Sequence, residues 1–204
     1  MSSDSSPKYL PADERRTVTV EAVVALAAKH NPTDITTAAI AQHMGLTQGA
    51  IFRHFPSKES IVQSVLDWVS EKLMTRVDQA AQSQQSPVRA LEAVFLAHIG
   101  FIAEHPGAPR VLLAELQKSG DSIAKRMVLT LIANYRGRIL ALLQAGKDSG
   151  EVDPGLDLEA TSILYVGMVQ GLAMQSTAQP ELGHLVDDAG RVFAIFKRGL
   201  VCKS

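Results

Sequence analysis

The stretch Ile35 to Glu59, ITTAAIAQHMGLTQGAIFRHFPSKE, reads as two short helices joined by a tight glycine turn. Thr36 or Thr37 offers an oxygen that accepts an otherwise unpaired N–H in the first turn of the first helix. From Ala38 to Met44, the residues Ile40, Ala41 and Met44 fall on one face, the spacing of a helix packed against a neighbour. Gly45 stands where a left-handed backbone ends a helix at little cost, Leu46 is an apolar anchor in the turn, and Thr47 caps the next helix. That second helix turns Ile51 and Phe55 to the core and Gln48, Gly49, Ala50 and Arg53 outward. Small residues allow close approach, and the two long side chains can bond base edges or phosphates. The pattern predicts a helix-turn-helix whose second helix reads DNA.

Working outward, MSSDSSPKYLP (residues 1–11) is serine-rich and proline-flanked and is expected to be a flexible leader. A helix from about Asp13 to Lys29 carries the stripe Val20, Val23, Val24, Ala27 and stops at Asn31-Pro32. It would brace the helix-turn-helix from behind, giving a three-helix DNA-binding domain over residues 12–56. Arg15 and Arg16 at its start are either a solvated pair or contacts to the DNA backbone. After Phe55, Ser57 caps a long helix to about Gln82 with Ile61, Val65, Trp68, Val69, Leu73 and Val77 on its apolar side. This helix connects the DNA unit to the remainder. Further helices are expected over about Pro87–His105, Pro109–Lys118, Ser122–Lys147, Asp157–Thr177 and Gly183–Val201. No period-2 run is long enough for a strand, so the fold class is all-α with about nine helices, and residues 57–204 form a second, helical domain.

With 46% hydrophobic residues, the 204-residue chain has ample material for a core, and its net charge is −1. Residues 1–60 hold six Lys/Arg and six Asp/Glu, so no basic arm is present and non-specific coating of nucleic acid by many cations is not expected. Cys202 is the single cysteine, which excludes an intrachain disulfide and a paired-cysteine metal site; no metal and no cofactor are expected. The polar N-terminus and the lack of a long apolar run point to a cytoplasmic protein that does not enter membranes. No GxSxG, HExxH, GxGxxG or phosphate loop occurs, which argues against an enzyme.

Thr36 to Ala41 (T-x-x-x-I-A), Gly45 to Gly49 (G-L-T-x-G), Phe52 to Phe55 (aromatic-x-H-F) and Ser57 to Glu59 (S-K-E), in this order, resemble the DNA-binding domain of the tetracycline-repressor (TetR) family. The resemblance covers roughly the first 60 residues. It implies a repressor that binds an inverted-repeat operator in double-stranded DNA and is released by a small hydrophobic or amphipathic effector in an all-helical C-terminal domain. The DNA-contacting set would be Thr36, Thr37, Thr47, Gln48, Gly49, Ala50, Phe52, Arg53, His54 and Lys58, with Thr36, His54 and Lys58 on phosphates. Phe52 departs from the family, which usually has tyrosine there, and this removes one expected phosphate contact. The alternatives are a DNA-binding protein of the same fold that answers to a protein partner or to no effector, and a helical enzyme or carrier.

Two further constellations lie beyond the motif. In the helix after Pro87, Leu91, Val94, Phe95, His98 and Ile102 share a face, which places His98 in an apolar stripe as either a bonded core histidine or a polar anchor for a ligand. In the long helix after Ser122, Met127, Leu131, Asn134 and Arg138 share a face, with Arg138 either a ligand clamp or an ion-paired surface residue. Trp68, Phe101, Tyr135, Tyr165 and Met168, with Phe95, complete the candidate pocket. Residues 163–174, ILYVGMVQGLAM, are apolar on nearly every face and must be covered, and Gly167 and Gly171 allow another helix close. Leu185, Ala189, Val192, Phe193, Phe196 and Leu200 form a stripe on the last helix. With Leu164, these residues are expected to build a four-helix homodimer interface, the alternative being burial within one chain.

Overall fold

Helix ends in this chain are set by local chemistry, and most boundaries follow from a serine, threonine or proline at the right place. The computed structural model describes residues 12–178 and 184–201. The expected leader (residues 1–11), Gly183 at the start of the last helix and Cys202 lie outside the described residues. Helix α1 spans Ala12–Lys29, and a 3-10 turn at Pro32–Asp34 leads into α2, Thr37–His43, and α3, Gln48–Phe52. The long α4, Lys58–Gln82, is followed by α5, Pro87–Glu104, and α6, Gly107–Gln117. Then come α7, Ile123–Asp148, α8, Leu158–Ala178, and α9, Leu185–Leu200. Every element among the described residues is helical, with no strand.

Thr36 accepts from the Ala39 N–H at 3.1 Å, and Thr47 accepts from the Ala50 N–H at 3.3 Å. Ser57 and Ser60 form a reciprocal box at the start of α4. Gly45 has φ +65°, the left-handed conformation a side chain disfavours, and it turns the chain between α2 and α3.

The core runs without a break from Val20 on α1 to Leu200 on α9. Helix α4 packs on α1 at one end and on α5 and α7 along its length, burying Ile61, Val65, Val69, Leu73 and Val77. The aromatic side chains of Phe95, Tyr165, Phe193 and Phe196 meet where α5, α8 and α9 pack, with Phe95 edge-on to Tyr165 at 5.5 Å between ring centroids. Tyr165 donates its hydroxyl to the Leu91 carbonyl at 2.8 Å.

This packing corrects the expectation for the last helix. Ala189, Phe193 and Phe196 are buried within the chain, against α5 and α8, and cannot form an intersubunit surface. The stripe identifies a covered face correctly, but amphipathicity does not say which chain covers it. Leu185 and Val192 are partly buried beside this core. The apolar residues that remain outside are Ile163, Leu164 and Met174 on α8 and Val186 and Ile195 on α9, each more than half exposed. Gly167 and Gly171 lie on α8 with open space where a side chain would stand.

Candidate nucleic-acid interface and internal cavity

The reader helix α3 is short, and its position depends on what holds it. Ile51 and Phe55 anchor its inner side in the core. Gln48 Nε2 donates to the Thr37 hydroxyl at 2.6 Å, tying the first residue of α3 to the first residue of α2. Thr36, Thr47, Gln48, Gly49, Phe52 and Arg53 are exposed, and Thr37, Ala50, His54 and Lys58 are half-buried around them. All ten residues expected to touch DNA are therefore carried by one helix-turn-helix and the start of α4. A Cβ added at Gly49 would meet nothing within 4 Å, so the middle of α3 is open to close approach. Phe52 is 45% exposed, a large apolar ring left on the surface beside Arg53.

Two cations expected near DNA also make bonds inside the protein. Lys58 Nζ donates to the Thr33 carbonyl at 3.0 Å, holding the start of α4 to the turn before α2. Arg16 donates to Ser64 at 3.3 Å and lies over the Phe55 ring at 5.4 Å, so it joins α1 to α4.

In the helical remainder, a cavity of about 620 Å³ lies between α4, α5, α6, α7 and α8. Of the eleven residues expected to line a pocket, His98, Phe101, Leu131 and Tyr135 do so. The other seven are elsewhere. Phe95 and Tyr165 are fully buried in the α5–α8–α9 core, and Met168 and Met127 pack against core without reaching the cavity. Trp68 stands behind the wall, against Phe101 and His105. Asn134 is exposed, and Arg138 is an ion-paired surface residue bonded to Asp78 through two contacts of 2.7 and 3.2 Å.

Sequence pattern alone does not assign α6 to the cavity, yet this helix supplies Ala108, Arg110, Leu112, Leu113 and Leu116 to its wall. The consecutive leucines are the signal that could have found it, since one leucine beyond the core stripe needs a second apolar surface. Gln170, Met174 and Thr177 on α8 complete the open side, where Met174 is 62% exposed. Burial lowers the His98 imidazole to about 4, so it is neutral near pH 7, and burial likewise pushes the Tyr135 hydroxyl above its ordinary value.

Helix α6 also touches the DNA unit. Its first residue, Gly107, sits so close to α1 that an added Cβ would lie 1.9 Å from the Val24 carbonyl oxygen. Arg110 Nη1 donates to the Ala28 carbonyl at 2.9 Å, satisfying an acceptor in the last turn of α1. One helix is thus both a cavity wall and a direct support of the helix that braces the reader.

Residues 20–65 match the family model described as bacterial regulatory proteins, tetR family. These residues are a TetR-family DNA-binding domain. It is 30% identical over 120 residues, 59% of its length, to the nucleoid occlusion factor SlmA of Marinomonas sp., spanning 60% of that protein. It is 32% identical over 78 residues, 38% of its length, to SlmA of Yersinia enterocolitica, spanning 39% of that protein. In fold, the chain is similar to the ketosteroid transcriptional regulator KstR2 of Mycobacterium tuberculosis, with a TM-score of 0.78, 21% identity, and 93% and 96% of the two chains covered. It is similar to the same degree, 0.78 at 20% identity with 90% and 98% covered, to the transcriptional regulator FadR of Bacillus subtilis in complex with stearoyl-CoA. Among the described residues, no helix is long and apolar enough to cross a membrane and no acidic, histidine or cysteine group could hold a metal ion.

Proposed function

We propose that this chain is a cytoplasmic, homodimeric, sequence-specific DNA-binding repressor that a small molecule releases from an inverted-repeat operator. The observation that carries the reading is the double role of α6, which walls the cavity with Leu112 and Leu116 and grips α1 through Gly107 and Arg110. A ligand that displaces α6 must move α1 or break its bond to Arg110, and α1 braces the reader. Helix α4 offers a second route, because Val69 and Leu73 reach the cavity while its N-terminal cap adjoins α3. The ligand can shift DNA affinity only by its preference for the DNA-incompetent shape, typically about 1–3 kcal/mol of coupling.

The dimer follows from the outward apolar residues of α8 and α9. Two readers would then meet successive major grooves, about 34–36 Å apart, on an inverted repeat. The test is selection of bound sequences from random double-stranded DNA, followed by a screen of metabolites for operator release. Recovery of an inverted repeat and release by an apolar metabolite are the expected results; bound DNA without any consensus would reject sequence-specific reading.

The likeness to nucleoid occlusion factors favours a second reading, in which the chain binds DNA and answers to a protein partner. Under it, operator binding would resist every small molecule tried and yield to a macromolecule. The open cavity weighs toward the first reading, since an unused site gains nothing from a space of this size among otherwise close-packed helices.

A further inference from the structure

The reader helix leaves one aromatic ring in water. Of the large apolar side chains exposed among the described residues, Phe52 is the single aromatic one. It follows Gln48 by four positions and Gly49 by three, so its ring shares their face of α3 while Ile51 turns into the core. That face is held in place from both ends. Gln48 is tied to Thr37, and Ile51 and Phe55 are 2% and 1% exposed. Open space at Gly49 lets a base edge come close to the helix one turn before the ring. The ring therefore stands where DNA would arrive, and binding would take it out of water.

What it meets there is decided by its chemistry. A phenyl ring has no hydrogen to donate to a phosphate oxygen. Set over the N7, O6 or N4 atoms of a G·C pair, it would strip them of water and give no bond back. The apolar group on the major-groove edge of DNA is the C5 methyl of thymine, and burying that methyl against the ring is favourable for both. Arg53, next in the chain and also exposed, supplies a polar reader beside the ring.

We infer that Phe52 reads a 5-methylpyrimidine, one thymine in each operator half-site, by packing its ring on the C5 methyl group. The inference rests on the sequence-specific reading above and adds the kind of base that is read. Because the ring touches the methyl group alone, it separates thymine from uracil and 5-methylcytosine from cytosine, although the two members of each pair form the same base pair.

The test uses the duplex that the full-length protein recovers from random DNA, labelled with a fluorophore and titrated at one fixed salt concentration. Each thymine of one half-site, together with its mate in the other, is replaced in turn by deoxyuridine. At one such position the replacement is expected to lower affinity about fourfold per half-site, the worth of one buried methyl group. A C·G pair placed there should bind more tightly when its cytosine carries a 5-methyl group. Phe52→Ala should erase both differences, whereas Phe52→Tyr, which keeps the ring, should retain them. Circular dichroism verifies that each variant is folded. Deoxyuridine tolerated at every thymine by the wild-type protein, a half-site without thymine, or a methyl preference that Phe52→Ala retains would overturn the inference and leave sequence-specific reading intact. Recovered DNA without any consensus would reject that reading and this inference with it.

Discussion

Arg110 on the cavity wall holds the Ala28 carbonyl at the C-terminal end of α1, a bond of 2.9 Å between residues 82 positions apart. Helix C-termini leave carbonyls without intrahelical partners, and a guanidinium there is favoured by both hydrogen bonding and the helix dipole. Arg110→Met keeps the apolar stem and removes the bond. It should cost about 0.5–1.5 kcal/mol of stability. If the contact transmits the ligand signal, the same variant should hold unliganded operator and show a smaller loss of DNA affinity on ligand addition. Gly107→Ala is the harsher case, because its methyl group would fall on backbone that cannot swing aside. A loss of about 1–3 kcal/mol is expected, read as a lower urea midpoint.

On the reader, Arg53 is exposed and able to bend toward a base, whereas Lys58 is committed in part to Thr33. Arg53→Ala should cost about 1–3 kcal/mol of operator binding and relax the preferred sequence at one position in each half-site. Lys58→Ala should weaken all sequences alike and lower the salt dependence by about one counterion per subunit. Titrations against operator and scrambled DNA at several salt concentrations separate the two. Equal behaviour of both variants would count against the assignment.

The helix-turn-helix is legible in the sequence because everything that defines it is local. Two threonine caps, one left-handed glycine and four apolar positions all act within 25 residues of one another in the stretch Ile35 to Glu59. The cavity is not, because it depends on how five helices are turned about their axes. In α7 the expected line Met127, Leu131, Asn134, Arg138 lies roughly a fifth of a turn from the buried line Val128, Leu131, Tyr135, Ile139. That small rotation is enough to put Asn134 and Arg138 outside. In α5 the stripe is assigned correctly, yet Phe95 faces Tyr165 while His98 faces the cavity, a division that only the neighbouring helices decide. The contact of α6 with α1 joins Gly107 to Val24 across distant parts of the chain, and no local pattern marks it.

The proposed dimer surface rests on the corrected placement of α9. Phe193 is fully buried within the chain, so Phe193→Ala should destabilise it by about 3–5 kcal/mol, whatever the oligomeric state. Leu164 is 57% exposed, and Gly167 has open space beside it. Leu164→Glu or Gly167→Glu should therefore leave the helical signal intact and yield monomers in sedimentation at micromolar concentration. Operator affinity should fall with dimerisation, since a monomer engages one half-site. Dimers that persist when the two substitutions are combined would move the interface away from α8.

The last prediction concerns acid. Burial lowers the His98 ring to about 4, against 6.5 for the unperturbed side chain. Above pH 6.5 both folded and unfolded chains carry a neutral ring, and His98 adds no pH dependence. As pH falls from 6.5 toward 4, the unfolded chain takes up a proton that the folded protein does not bind, so stability drops through that window and levels off below it. His98 as a residue is half-buried, and water near the ring moderates the loss, giving about 1–3 kcal/mol between about pH 7 and about pH 4.5. His98→Phe removes the group and should flatten this part of the profile, leaving the acid sensitivity of the carboxylates. Urea midpoints at the two pH values, for wild type and variant, measure the difference. An equal acid loss in both proteins would mean that the ring titrates in the folded state as it does in water, and that the cavity floor is wet.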